Sequence, residues 1–406
     1  MSKSPSPFQA ASPHLPSRGR TLLLLASIIA STIVGLAGTD LVLPAVPQLA
    51  DFLHGTSTQA QMVLASFVAG VGIGLLLFGE VGARWDQRMI IVAALGLYGL
   101  FSVLATLVTS LQQLIALRFL QGLASSAAAV FAPVMIRTLL PENQAIRAIG
   151  VMSSIESLTP ALAPILGAWL LAIWGWQASF WTVAVACAAL LVIWWRLYPT
   201  MPVNPPLDSN HHYGRLLRHC RFLLLANSQA CALGGLLVFV FAAPALFAGP
   251  LGGDIRDFVI MQMIGVSFFI ASASSSHWWV EKFGRAPMIC AGSVISLIGA
   301  TGLCLYGFAI QQGWAATHNW AVWLLFIWVN LGFGVRGPPG FYAALESAGA
   351  DSARASALII LLVMLVAAAG TALIAPFISQ GLFAIGAVVT AIFAAAWVLF
   401  LFGHKG

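Results

Sequence analysis

The feature that most constrains this chain is a succession of apolar runs, each about twenty residues or longer, separated by short polar punctuation. Coiled at ~1.5 Å per residue, a run of that length matches the roughly 30 Å hydrocarbon thickness of a bilayer. The runs do not alternate polar with apolar residues, and they are about twice as long as a barrel strand needs. Membrane-spanning helices are therefore expected, near 21–46, 57–79, 88–109, 112–136, 147–173, 176–197, 221–247, 255–279, 287–310, 319–340, 354–378 and 381–402. Of the 406 residues, 60% are hydrophobic and 7% charged, whereas a soluble domain carries about a quarter charged residues on a wet surface. The lipid bilayer is thus the first partner, and an all-α integral membrane fold of twelve spans is the expectation.

One connection is longer than the rest. Residues 198–220 hold Pro199, Pro202, Pro205, Pro206, the His211–His212 pair, Arg215, Arg218 and His219. They divide the chain into a six-helix N-terminal bundle (21–197) and a six-helix C-terminal bundle (221–402). A Ser- and Pro-rich segment, 1–20, reads as a disordered cytoplasmic N-terminus, and 403–406 as a cytoplasmic tail. With the N-terminus placed inside, 16 of the 18 Lys and Arg residues fall in inner segments, Arg336 and Arg354 among them. That asymmetry obeys the positive-inside rule and puts both ends in the cytoplasm. The net charge of +6 is scattered singly between apolar runs, so no nucleic-acid partner is expected. The five cysteines form no C-x-x-C pair and read as small buried hydrophobes, with no metal site or cofactor. No nucleotide loop, H-E-x-x-H or G-x-S-x-G motif is present, so no enzyme is expected. The inner connection at 82–88 is echoed six spans later at 280–287, as parallel bundle repeats would produce.

Charges at membrane depth are costly and mark functional candidates. Asp40 lies about 28 Å along the first span from Thr21. Arg118 and Gln121 in the fourth span are three apart and share a face. Gly122 and the small residues after it allow close helix packing. Asp40 and Arg118 have similar depths, so they could pair. Glu156 lies about 13 Å into the fifth span and has serine and threonine neighbours suited to a wet cavity. Its environment makes it a candidate proton carrier. Pro160 and Pro164 should kink that span, and Gly167 should admit a neighbouring helix. Arg336 reads as a cytoplasmic-end arginine. Asn227 and Gln229 are candidate substrate contacts, with structural hydrogen bonding equally open.

These residues resemble the major facilitator superfamily, in particular its twelve-helix drug:proton antiporters and their bicyclomycin- and chloramphenicol-resistance branch. Residues 40–47 (Asp-Leu-Val-Leu-Pro-Ala-Val-Pro) match that branch's first-helix D-x-x-x-P-A-x-P signature. Arg118, Gln121 and Gly122 match the fourth-helix R-x-x-Q-G motif, and residues 160–167 resemble the fifth-helix antiporter motif. The inner-loop motif G-x-L-A-D-R-x-G-R-[KR] is retained at Gly79, Gly82, Arg84 and Arg88 but has Ala83 for its acid and Asp86 for a glycine. The resemblance implies that Arg118 takes part in proton coupling, that residues 160–167 limit leak and that the missing loop acid would have helped close the cytoplasmic side. Asp86 or Glu80 could replace it. The resulting expectation is a monomeric, proton-coupled exporter of a small molecule working by alternating access. A proton-coupled importer of a metabolite on the same fold is the alternative. Asp40, Arg118 and Glu156 would handle the protons, leaving the second bundle mainly for substrate.

Overall fold

A computed structural model of the chain describes residues 18–198, 213–253 and 255–405. Their helices are α1 (Arg18–Asp40), α2 (Val46–Phe52), α3 (Ser57–Arg84), α4 (Gln87–Ala105), α5 (Leu111–Leu139), α6 (Glu142–Glu156), α7 (Thr159–Trp174) and α8 (Gln177–Leu197). After the inter-bundle connection come α9 (Tyr213–Leu216), α10 (Cys220–Ala248), α11 (Ile255–Phe283), α12 (Arg285–Gln311), α13 (Asn319–Ser347), α14 (Ser352–Ile374) and α15 (Leu382–Lys405). Eleven helical stretches among the described residues are long and apolar enough to cross a membrane.

The expected fifth span does not form as one helix. It divides into α6 and α7 at Ser157–Leu158. The cause is local. Pro160 and Pro164 lack the N–H groups that would bond the carbonyls of Glu156 and Pro160, and Pro160 is favoured where it lies, at the start of a helix. Leu158 N–H turns back to the carbonyl of Ile155 (3.1 Å), which tightens the end of α6. Pro160 therefore starts a second helix instead of kinking a continuous one. Other bounds also move. Arg18 and Arg20 already belong to α1, Lys405 still belongs to α15, and α3 runs on to Arg84. The first span is followed by a short 3₁₀ turn at Leu43–Ala45, where Pro44 ends regular α-helix. The connection at 198–220 contributes α9, while the His211–His212 pair and the four prolines lie outside the described residues, as do residues 1–17.

Between lipid-exposed helices the association must come from close packing and buried polar bonds, because lipid offers no hydrophobic drive. The α3–α5 pair illustrates this. A Cβ on Gly122 would collide with the backbone carbonyl of Phe67, so only glycine permits that approach. Phe78 and Phe131 then meet edge to face at 6.2 Å. Trp194, fully buried, donates its indole N–H to Ser31 Oγ (3.1 Å), tying α8 to α1. The helices on either side of α9 meet mainly through α3 against α14 and α6 against α11. Buried residues at that seam include Tyr342, Ala353 and Ala357.

Candidate functional site

Arg118 is fully buried on α5. Its Nη1 donates to the Gly38 carbonyl (3.0 Å) and to Gln121 Oε1 (3.1 Å), and its Nε to the Val63 carbonyl (3.4 Å). Gln121 in turn donates to Ser102 Oγ (3.0 Å), whose hydroxyl bonds the Tyr98 carbonyl (2.7 Å). The guanidinium stands 4.2 Å from the Phe67 ring centroid. One arginine thereby joins α1, α3 and, through Gln121, α4. The three-residue spacing of Arg118 and Gln121 does put both on one face. The expected pairing with Asp40 does not form. Asp40 is the last residue of α1 and half-buried, and no ion pair joins it to Arg118. Arg118 instead holds the carbonyl two residues earlier, because α1 ends at Asp40 and its free carbonyls compete for the fork.

Glu156 is the last residue of α6, directly before the break. The Thr32 side chain of α1 reaches its carboxyl, and protein surrounds it on nearly every side, yet part of its surface stays accessible. It has no ion-pair partner among the described residues. Ser154 and Ser157 are occupied by carbonyls of their own helix turn, Gly150 and Ser154 respectively. Beyond the break, Gly167 faces the Leu41 carbonyl so closely that a Cβ would collide with it. The broken span thus packs against the turn that follows Asp40.

A third assembly joins the two halves at the C-terminal end of α3 and the N-terminal end of α14. Arg354 of α14, fully buried, donates from Nε to Glu80 Oε2 (2.7 Å) and from Nη2 to Glu80 Oε1 (3.1 Å). It also bonds Asp351 Oδ1 (2.8 Å). Arg84 adds an i,i+4 pair to Glu80 from a largely exposed position. So Glu80 occupies the bridging role, with Ala83 buried beside it. Asp86 does not reach the other half. It caps α4 by accepting from the Arg88 backbone N–H (3.0 Å), and Arg88 Nη2 closes on its Oδ2 at 2.7 Å. The Arg88 contact holds its carboxyl below the usual carboxylate range, partly offset by desolvation. Across the seam, Arg285 pairs with Glu142 (2.8 Å) and with Glu346. Arg137 Nη1 bonds the Leu345 carbonyl (3.1 Å) and Ser352 Oγ (2.9 Å). Tyr213 of α9 donates its hydroxyl to the Leu76 carbonyl (2.8 Å) with the Arg354 guanidinium 6.0 Å from its ring centroid. Burial, and secondarily Glu80, pushes that hydroxyl's pKa up.

Arg336 is not a cytoplasmic-end arginine. It is fully buried within α13, donating to Ser293 Oγ (3.0 Å) on α12 and Ser228 Oγ (3.0 Å) on α10. Ser228 continues the chain to the Ala396 carbonyl of α15 (2.6 Å). The flanking glycines and prolines stay helical, and a Cβ on Gly292 would collide with the Gly332 carbonyl and with Arg336. Gln229 donates to the Gly337 carbonyl (3.3 Å) and leaves its Oε1 without a partner. Asn227 bonds the Leu223 carbonyl of its own helix (2.8 Å). The structure therefore brings together Arg118 with Gln121, and Glu156 with the break, but leaves Asn227 and Asp86 in local contacts. The Tyr213, Arg285–Glu142–Glu346 and Arg336 contacts were missed. For the second, the basic echo at 280–287 is a signal, since it places Arg285 opposite the first half's inner ends.

Comparison with known proteins agrees with this architecture. The family model described as Major Facilitator Superfamily matches residues 28–371. The chain is similar to the multidrug resistance protein MdtL of Shigella dysenteriae and of Escherichia coli O157:H7, in each case 24% identical over 300 residues, covering 70% of this chain and 76% of the relative. Among solved structures, a bacterial homologue of the iron transporter ferroportin in an outward-facing state superposes with TM-score 0.76 at 14% identity, covering 95% of this chain and all of the other. FucP in the outward conformation superposes with TM-score 0.70 at 15% identity, covering 95% and 99%.

Proposed function

The chain belongs to the major facilitator superfamily, and from that premise we propose that this transporter exports a small organic molecule in exchange for protons. The observation that carries the reading is Glu156. It is a membrane-depth carboxylate without a cationic partner among the described residues, held at a break in its own helix and still accessible. A carboxylate in that setting can be neutralised by a proton or by a substrate, and the two compete for it. Asp40 is the second proton-handling acid. It stands two residues beyond the carbonyl held by Arg118, so a change in its charge acts on the same helix end.

The Glu80–Arg354 and Glu142–Arg285–Glu346 contacts support a resting state closed toward the cytoplasm. Substrate loading from that side requires them to part, and the proton enters from the opposite side while they hold. The proposed division is a bundle at 21–197, a bundle at 221–402 and a connecting segment, with both termini cytoplasmic and the inner membrane as location. The names of the MdtL relatives favour export of drug-like molecules over import.

The test uses inside-out vesicles acidified by respiration, with the gradient read by an acridine dye. Chloramphenicol, ethidium and a metabolite extract are added in turn. Restored fluorescence that depends on this protein and is lost in Glu156→Gln and Asp40→Asn supports proton-coupled export. Transport that both variants retain in full would overturn the carboxylate assignment.

A further inference from the structure

We propose that Thr32 is the positioning residue for proton exchange at Glu156, its hydroxyl accepting from the neutral acid and donating to the carboxylate. The surrounding helices fix where Thr32 stands. Ser31, next to it on α1, takes the indole N–H of Trp194 on α8 (3.1 Å) and gives its own hydrogen to the Ser27 carbonyl (2.7 Å). One turn further on, Gly35 lies so close to α5 that an added Cβ would stand 3.3 Å from the Ser125 carbonyl. These two contacts hold α1 against rotation and present Thr32 to α6. Thr32 is buried, and among the described residues it is the side chain that bonds the Glu156 carboxyl. No charged side chain of α1, α5, α7, α11 or α13, the helices packed against α6, acts on that carboxyl.

The Thr32 hydroxyl has one hydrogen and two neighbours that can take it. One is the Ile29 carbonyl at 2.9 Å, and the other is the Glu156 carboxyl. When Glu156 is neutral, its O–H donates to Thr32 Oγ1, whose hydrogen goes on to Ile29. When Glu156 is ionised it has no hydrogen to give, and Thr32 turns its own toward the carboxylate. The Ile29 carbonyl lies within α1 and keeps the bond that its helix supplies, so this turn leaves no backbone group unpaired. The proton that Glu156 loses passes to water. Thr32 keeps its hydrogen throughout, and only the direction of the bonds changes. The bond to the carboxylate is charge-assisted and about twice as strong as the neutral one. Removing the hydroxyl therefore costs the carboxylate more than it costs the neutral acid.

This role rests on the reading of Glu156 as the proton carrier, and infrared titration tests it with neither substrate nor gradient. The full chain is purified in detergent and titrated between about pH 4 and pH 10. The carbonyl band of the protonated Glu156 carboxyl is the one that Glu156→Gln removes. Thr32→Val should move the midpoint of that band up by about one pH unit, a tenfold change in proton affinity. It should also raise the band's frequency, because the O–H of the neutral acid has lost its acceptor. Thr32→Ala should do the same without a branched side chain, and Thr32→Ser, which keeps the hydroxyl, should titrate as wild type does. A midpoint that stays or falls in the valine and alanine variants would overturn the proposal. So would a serine variant that follows valine, or a wild type with no Glu156 band at any pH. The dye assay reports separately on proton-coupled export. A failure there with the infrared shift intact would fault that reading and not the role of Thr32.

Discussion

Removing the charge of Glu80 should part the two halves at the end where α3 meets α14. The Glu80 carboxylate receives two bonds from Arg354, at 2.7 and 3.1 Å, and Arg354 is 1% exposed. In Glu80→Gln the buried guanidinium keeps only Asp351 as an anionic partner. Breaking a fully buried pair costs about 3–5 kcal/mol, but Glu80 is partly solvated and Asp351 remains, so about 2 kcal/mol is the reasoned figure. The pair spans the two halves, so the loss falls on the closed state alone. At about 1.4 kcal/mol per tenfold, the equilibrium moves roughly thirtyfold, and a state populated at about 99% drops to about three-quarters. Spin labels at Trp85 and Phe283, both exposed and one in each half, report the opening by pulsed electron resonance in a cysteine-free background. The variant should gain a longer-distance population of about one quarter, and Arg354→Gln should behave alike, with the double variant adding little. A distance distribution identical to wild type would refute the idea that this pair holds the two halves together.

Further outcomes follow from the same contacts. Asp86→Asn should cost about 1 kcal/mol at pH 7, because the native carboxyl is held below its unfolded range. That contribution is present above the unfolded carboxylate range and is lost as pH falls through the lowered native value, so thermal unfolding of variant and wild type should converge in acid. Tyr213→Phe removes the bond to the Leu76 carbonyl but keeps the ring beside Arg354, and should shift the equilibrium read by the same labels by about 1 kcal/mol or less. Arg336→Gln should lower stability by about 2–4 kcal/mol, since Ser228 and Ser293 lose their buried donor. Thermal scans in detergent check it. A variant as stable as wild type would mean the guanidinium is not what joins α10, α12 and α13.

Hydropathy alone located the spans, because length and apolarity are set by the bilayer and not by tertiary detail. The break in the fifth span was legible only as a kink. Pro160 and Pro164 each remove a backbone donor, but whether the chain bends or restarts is decided by the turn that closes α6, where Leu158 N–H bonds the Ile155 carbonyl. The Arg118–Gln121 contact followed from helical spacing. The absence of an Asp40–Arg118 pair did not, because the competing acceptors are backbone carbonyls, which carry no sequence signature. Arg336 misled for a related reason. Counting basic residues by loop assigns side to a charge near a span end, yet a helix of 29 residues, longer than the span drawn for it, moved Arg336 inward. The Glu80–Arg354 pair links residues 274 apart in sequence and could be found only once α3 and α14 were seen together.

The central claim is that proton and substrate compete at Glu156. The direct measurement is proton release from purified protein in weakly buffered detergent at pH 7, after adding a saturating compound that collapses the vesicle gradient. Wild type should release a proton on binding, and Glu156→Gln should bind the compound without that release. An unchanged release in Glu156→Gln, or binding by wild type with no proton released, would contradict the account.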